Sequence, residues 1–264
     1  MKVGLIIIGD EILSGKRQDK HLSRFIELLA ERGMQLSWAQ YLGDDREHIT
    51  AQLRAAFASG DLVISCGGIG ATPDDHTRQA AAAALGRDLV LHPEARELIW
   101  QRIQTTALEQ GVSADPEHPD SLRRLEMGLF PQGAQIVPNP YNKIPGFSVG
   151  TVYFVPGFPV MAHPMMAWVL DERHRDLHRP LDTQERSLIV KGAMEASLTP
   201  LMEQVESDFP GIKVFSLPSV DHPQWGRHIE LGVKGDAEQL SPAYAALKSG
   251  VIQFGAEISS EMVR

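Results

Sequence analysis

The stretch Asp61-Leu62-Val63-Ile64-Ser65-Cys66-Gly67-Gly68-Ile69-Gly70-Ala71-Thr72-Pro73-Asp74-Asp75-His76-Thr77 decides how this chain is read. An apolar run ends in a glycine turn, an acidic pair follows, and the helix-prone Arg78-Gln79-Ala80-Ala81-Ala82-Ala83-Ala84-Leu85 takes over. Strand, turn and helix in that order expose backbone N–H groups where an anionic ligand can meet a helix N-terminus. The glycines let the backbone approach a ligand without Cβ interference. The two aspartates are out of place at a bare phosphate site. They fit one where Mg²⁺ or another divalent cation sits between carboxylate and phosphate.

Working outward, Lys2 to Gly9 reads as a strand buried on both faces of a parallel sheet. Asp19 is placed to cap a helix with Leu22, Phe25, Ile26 and Leu29 on one stripe, stopped by Gly33. Met34, Leu36 and Trp38 alternate with polar neighbours and predict a second strand. Asp44 or Asp45 then caps a helix to about Ala58, before the third strand at Leu62. This β-α-β-α-β order predicts a doubly wound α/β domain over residues 1–172. Further on the pattern gives a helix from Pro93 to Gln110, a short helix over Ser121 to Met127, and strands at Ile136-Val137 and Thr151 to Val155. A charged bridge, residues 173–182, reads as a solvated linker. Residues 183–264 then predict a small βαββα unit of α+β class.

Composition narrows the function. The chain has 264 residues with 43% hydrophobic content, enough for two cores at the usual ~100–200 residues per domain. A net charge of −9, with acids and bases mixed, argues against nucleic acid or an anionic membrane as partner. A small anionic molecule stays open, because screening over about 8 Å leaves local donors and metal to decide. Cys66 is the single cysteine, which excludes an intrachain disulfide and suits a cytoplasmic setting. Leu5 to Ile8 is too short for a signal-peptide core, and no segment has the ~18 apolar residues of a membrane span.

Three loops follow predicted parallel strands: Gly9-Asp10-Glu11-Ile12-Leu13-Ser14-Gly15, residues 67–77, and Pro156-Gly157-Phe158-Pro159. In open α/β sheets ligands bind outside the carboxyl ends of the strands, so one crevice can collect all three. Familiar phosphate motifs fail. Five residues, not four, separate Gly9 from Gly15, and Arg17 stands where a P-loop needs Ser or Thr. Proline stands where the dinucleotide fingerprint needs its third glycine, after Gly68 and Gly70. Asp44, just past strand two, can join Asp75 on a divalent ion, or the acidic pairs can simply cap helices at ~1 kcal/mol each. Asp10, Glu11 and Ser14 are placed to meet a ring or sugar, with surface solvation as the plain alternative. Gly67, Gly68, Gly70 and Thr72 would cradle phosphate through backbone N–H groups and a hydroxyl, with Asp74 and Thr77 of the same loop as further ligand-binding candidates. Lys143, in the loop running to Gly146, can reach a phosphate; a proline-stiffened surface loop is the other reading. His76 reads as an ordinary helix-start histidine and Cys66 as a small apolar residue closing its strand.

Together these motifs resemble the MoaB/Mog molybdopterin-binding domain in its CinA N-terminal variant. The resemblance rests on Gly9 to Gly15, Gly43-Asp44-Asp45, Gly67 to Thr77, Pro138-Asn139-Pro140 with Pro145-Gly146-Phe147, and Pro156 to Pro159. It covers about residues 1–172; the tail is similar, more weakly, to the small middle domain of CinA proteins. It stops short of the C-terminal deamidase domain of longer CinA proteins, so amide hydrolysis of a nucleotide is not implied. The resemblance implies a three-layer α/β/α fold, mostly parallel, that binds a phosphorylated pterin such as molybdopterin, or an adenine nucleotide. In Mog-type relatives the acids at Asp75 and Asp44 serve Mg²⁺-assisted chemistry; CinA-type relatives are similar to metal-dependent ADP-ribose pyrophosphatases. Relatives self-associate, so a homo-oligomer, dimer or trimer, is expected. The chain departs from the family in two places. Met161 replaces an acid, and Asn142-Lys143 replaces Gly-Thr. A lost carboxylate and a gained cation favour binding over catalysis, and a non-catalytic scaffold remains a third reading.

Overall fold

The protein is described by a computed structural model covering residues 1–179 and 183–263, and it divides into two compact units, Met1–His178 and Arg179–Arg264. The first unit runs β1 (Val3–Ile8), a single turn α1 (Asp10–Leu13), α2 (His21–Ala30), β2 (Trp38–Leu42), α3 (Arg46–Ser59) and β3 (Leu62–Cys66). It continues with α4 (Thr77–Leu85), β4 (Leu89–Leu91), α5 (Pro93–Glu109), α6 (Pro119–Leu125) and β5 (Leu129–Pro131). It closes with β6 (Gln135–Val137), β7 (Gly146–Val149), β8 (Val152–Val155) and α7 (Pro159–Trp168).

Six strands form one sheet in the order β2-β1-β3-β8-β7-β6, and β4 pairs separately with β5. The first four strands are parallel; β7 and β6 continue the sheet in antiparallel pairs. Every residue of β1 and β3 is buried, as unbroken apolar runs in a sheet covered on both faces require. Side chains alternate across the sheet. Val3, Leu5 and Ile7 join Phe25, Leu28 and Leu29 of α2 and Met165 and Met166 of α7. Ile6 and Ile8 join Ile49 and Leu53 of α3, Ala80 of α4 and Ile99 of α5. Each such side chain contributes about 1.5–3 kcal/mol. The result is three layers, α/β/α. On the α3–α5 face Phe130, Phe147 and Phe154 stack at centroid spacings of 4.7 and 4.3 Å.

Several sequence expectations need correction. The buried stripe of α2 carries Leu28, while Ile26 is 47% exposed. β2 begins at Trp38 rather than Met34, because Met34 is taken up by the core beneath α2 and pairing with β1 starts at Gly4–Trp38. β7 forms within what reads as a proline-stiffened loop. Residues 173–178 belong to the first unit instead of a linker: His174 is buried with Nε2 2.9 Å from the Tyr153 hydroxyl, and His178 Nε2 lies 3.0 Å from the Leu170 carbonyl. Pro180 to Asp182, the rest of that expected linker, lie outside the described residues.

The second unit runs β9 (Thr183–Lys191), α8 (Glu195–Asp208), β10 (Lys213–His222), β11 (Gly226–Asp236), α9 (Ala237–Phe254) and β12 (Glu257–Val263). Its antiparallel sheet has the order β10-β11-β9-β12. Leu188, Val190, Leu231 and Val233 pack under Leu198 and Val205 of α8 and Leu240, Leu247 and Val251 of α9. The expected βαββα unit is therefore βαββαβ, a split β-α-β arrangement. Its last strand escapes the sequence reading because Glu257, Ser259 and Glu261 on this edge strand face water. No helix among the described residues is long and apolar enough to cross a membrane.

Candidate functional site

Parallel pairing of β2, β1, β3 and β8 puts the loops after them along one edge, and backbone contacts join them. Gly9 N donates to Leu42 O at 3.0 Å, and Gly67 N donates to Val155 O at 3.0 Å. Asp10 and Asp44 exchange bonds: Asp10 N donates to Asp44 Oδ2 at 2.9 Å, and Asp44 N donates to Asp10 Oδ1 at 3.2 Å. The neighbouring Asp45 caps α3, its Oδ1 accepting from His48 N at 2.6 Å. Carboxylate-to-amide bonds thus tie the turn after β1 to the turn after β2, and a backbone bond ties the turn after β3 to the end of β8.

The 67–77 loop is tied to itself. Gly67 has φ +101°, and a Cβ there would lie 2.3 Å from the Ile8 carbonyl; at Gly68, φ +68°, it would lie 2.1 Å from Thr77 Oγ1. Only glycine fits either position. Thr77 N donates to Gly68 O at 3.0 Å, and its buried hydroxyl donates to Gly67 O at 3.0 Å. Asp75 Oδ1 accepts from Gly70 N at 2.9 Å, and its Oδ2 accepts from Thr72 N at 2.8 Å. The Thr72 hydroxyl lies 2.6 Å from Asp75 Oδ2 and 2.5 Å from Asp74 Oδ1. That hydroxyl holds the exposed Asp74 carboxyl below the usual range.

These bonds alter the expected cradle. The amides of Gly67, Gly70 and Thr72 and the Thr77 hydroxyl are engaged within the protein. Asp75 occupies the donors assigned to a phosphate, because a carboxylate three to five residues downstream competes intramolecularly. Among the described residues, no hydrogen bond engages the amides of Gly68, Ile69 or Ala71. Arg78, which the sequence reading passes over, is buried at 5% exposure; its Nη1 donates to the Ile69 carbonyl, and burial pulls its pKa down against the nearby Asp75. A buried guanidinium on a loop carbonyl locks the turn. Its only trace in the sequence is a cation at the head of an alanine-rich helix.

The pairing of Asp75 with Asp44 also needs revision. Burial raises the Asp44 pKa most, the Asp10 amide opposes this, and the charges of Asp10, Glu11 and Asp74 raise it further. Both Asp75 oxygens are instead bonded within the 67–77 loop, to the amides of Gly70 and Thr72. Among the described residues no three His, Cys, Asp or Glu side chains converge closely enough to hold a metal unaided. The tied Asp10 and Asp44 present oxygen donors only, the kind a hard cation with several retained waters takes.

Beside these acids, on the α2–α7 face, a cavity of about 410 Å³ opens at the ends of β1, β3 and β8. Ile7, Ile12 and Cys66 give its apolar part, and Glu11, Arg17, Lys20 and His21 its polar part. Gly157 and Phe158 form the opposite wall. Cys66 is buried at the end of β3, and burial pushes its thiol up. Arg17 enters the sequence reading only as a departure from the P-loop, and Lys20 and His21 belong to no motif and are missed by it. Ser14 is exposed at the end of α1 and does not line the cavity; Pro156 precedes the turn.

The 140s loop meets the same edge through α7. Lys143 is exposed at φ +68°, the single non-glycine residue with positive φ among those described, and does not line the cavity. Gly146 is buried within β7, where a Cβ would lie 2.1 Å from Phe154 O; its role is strand packing, not ligand contact. The two departures from the resembled family touch: Asn142 Nδ2 lies 3.3 Å from Met161 Sδ.

Sheet order, three layers and a polar crevice at the carboxyl edge define an open α/β/α domain. The chain belongs to the family described as "Probable molybdopterin binding domain", which matches residues 4–176. It is 32% identical over 225 residues to a CinA-like protein of Geobacter metallireducens, covering 81% of this chain and 51% of that protein. A relative from Pyrobaculum calidifontis is 28% identical over 266 residues, covering 98% of each chain. Thus the chain spans about half the length of the CinA-like relative and nearly all of the other. The crystal structure of the protein CinA, of unknown function, from Thermoplasma acidophilum superposes with TM-score 0.54 and 26% identity, covering 65% of this chain and 98% of that one. The first unit accordingly has the MoaB/Mog-like fold in its CinA-type form.

Proposed function

We propose that the first unit binds a phosphorylated bicyclic ligand, a molybdopterin-class pterin or an adenine nucleotide, along the carboxyl edge of its sheet. The observation that carries this reading is the carboxyl edge of the sheet, where the end of β3 and the loops after β1 and β8 line a 410 Å³ cavity with cations at its side. Phosphate oxygens would meet the amides of Gly68, Ile69 and Ala71, and the charges of Arg17 and Lys20. Asp75 and Arg78 act as positioning residues that hold the turn in shape. Asp44 and Asp10 would hold a divalent ion whose remaining ligands come from water and the ligand's phosphate. That ion supplies neutralisation of phosphate charge when bound. The acid cluster gives a metal-dependent ADP-ribose pyrophosphatase activity as a second reading, while Met161 on Asn142 removes an acid that such chemistry would use.

Thermal melting with ADP-ribose or a pterin phosphate, with and without Mg²⁺, tests the proposal. Free ligand at a hundred times Kd stabilises by about 2.7 kcal/mol, a shift of several degrees. A melting temperature indifferent to every such compound refutes binding. AMP release from ADP-ribose selects the pyrophosphatase reading.

A further inference from the structure

Two histidines meet between α2 and α7. His21 opens α2 and is 4% exposed; its ring Nε2 lies 3.0 Å from the Gly157 carbonyl, in the turn after β8. His163, on α7, sets its ring at right angles to that of His21, with the centroids 5.4 Å apart. From these contacts we infer that the pair is an acid-labile clasp: His21 hooks the turn after β8 onto α2, and protonation of His163 releases it. That turn carries Gly157 and Phe158, one wall of the cavity.

A carbonyl only accepts, so the neutral His21 ring carries its proton on Nε2 and a lone pair on Nδ1. That Nδ1 and the Nε2 of His163 are both buried without a hydrogen-bond partner. The Lys20 carbonyl draws the proton of neutral His163 to the other ring nitrogen, Nδ1. A second proton on His163 therefore enters at Nε2, where no acceptor waits. It leaves a desolvated cation and an unmatched N–H beside the ring that holds Gly157. His163 is only half-buried, so swinging its ring out to water relieves both and withdraws the support behind His21. The surrounding groups do not offset the charge. Asp19 is committed to the start of α2, its oxygens accepting from His21 N at 2.7 Å, Leu22 N at 3.1 Å and the Tyr41 hydroxyl at 2.8 Å. Lys20 and Arg24 on the α2 side and Arg17 in the loop after β1 are cations, with Glu11 as the acid of that loop. Burial holds the Cys66 thiol at the end of β3 neutral, and α7 has no second titratable side chain. The His163 pKa is accordingly lowered, by burial first and then by the His21 ring; Arg24 adds to this, and the Lys20 carbonyl and Asp19 oppose it. An imidazole whose pKa is lower in the closed form leaves the clasp shut above about pH 6.5, the ordinary histidine value, and weakens it as pH falls further.

Hydrogen–deuterium exchange on the full chain at about pH 7.5 and about pH 5.5, corrected for the intrinsic rate, tests this without any ligand. The amides of Met161 and Ala162, which donate to Phe158 O at 2.9 and 2.8 Å, report on the turn, with those of β3 as reference. Protection at Met161 and Ala162 should fall tenfold or more at the lower pH while β3 is unchanged. His163→Phe, which keeps an aromatic ring, and His163→Gln, which keeps a donor for the Lys20 carbonyl, should each bring that response within twofold. His21→Phe should lower protection at both pH values alike. In an NMR titration the His163 ring signal should move with the same midpoint as the exchange. Equal protection at the two pH values in the parent overturns the inference, as does unaltered protection in His21→Phe. An undiminished response in both His163 variants, or a His163 ring that stays neutral while the turn loosens, overturns it too. Each of these outcomes leaves the ligand-binding proposal standing.

Discussion

Gly68→Ala, made alone and with Thr77→Ala, is the most exacting test of the loop geometry. At φ +68° an alanine carries about 1–3 kcal/mol of backbone strain. Its Cβ would also lie 2.1 Å from Thr77 Oγ1, and overpacking of this kind costs a further ~1–3 kcal/mol. Thr77→Ala alone removes the 3.0 Å bond to Gly67 O, about 1 kcal/mol. If the effects were independent, the double variant would lose about 3–7 kcal/mol. Removing Oγ1 instead relieves the overlap, so the double variant should recover about 1–3 kcal/mol of that sum. Urea unfolding at 25 °C, followed by the fluorescence of Trp38, Trp100 and Trp168 in the first unit, measures each corner of the cycle. Additivity within about 0.5 kcal/mol would refute the proposed packing of Thr77 against Gly68.

Three further variants probe the core and the acids. Phe147→Ala empties the middle of the stack between Phe130 and Phe154 and should lower stability by about 3–5 kcal/mol in urea, with the m-value unchanged. Arg78→Met strands the Ile69 carbonyl and should cost about 1.5–3 kcal/mol by melting, with ligand response lost alongside. Asp44→Asn should raise the melting temperature at neutral pH without metal. The folded-state pKa of Asp44 is raised, so its contribution is unfavourable once ionised and vanishes as pH falls below the carboxylate range. A gain in Asp44→Asn that persists at low pH would contradict that account, as would a variant that still responds to Mg²⁺ like the parent.

Much of the α/β/α frame is legible in the sequence because its strands announce themselves locally. Leu5 to Ile8 and Leu62 to Ile64 are continuous apolar runs, and Asp19 and Asp45 accept from helix-start amides as their positions suggest. β7 and β12 are not legible: β7 is four residues bounded by Pro145 and Gly150, too short to show a period, and β12 depends on β9, far back along the chain. At the site, the glycines and acids reveal which loops meet. Which donors are left over is a different matter. Asp75 turning onto Gly70 and Thr72, and Arg78 turning inward, depend on side-chain directions that spacing does not encode. His21, Lys20 and Arg17 gain meaning only from the cavity they border.

The Asp75 carboxylate on the amides of Gly70 and Thr72 has a kinetic consequence. A loop that carries its own counter-charge is held in one shape before any visitor arrives, so its ordering entropy is settled during folding. Association should then follow a single exponential whose rate rises linearly with concentration, with no saturating rearrangement step. Asp75→Ala should convert that behaviour into slow, saturable capture, a change visible in stopped-flow traces even where equilibrium affinity moves little.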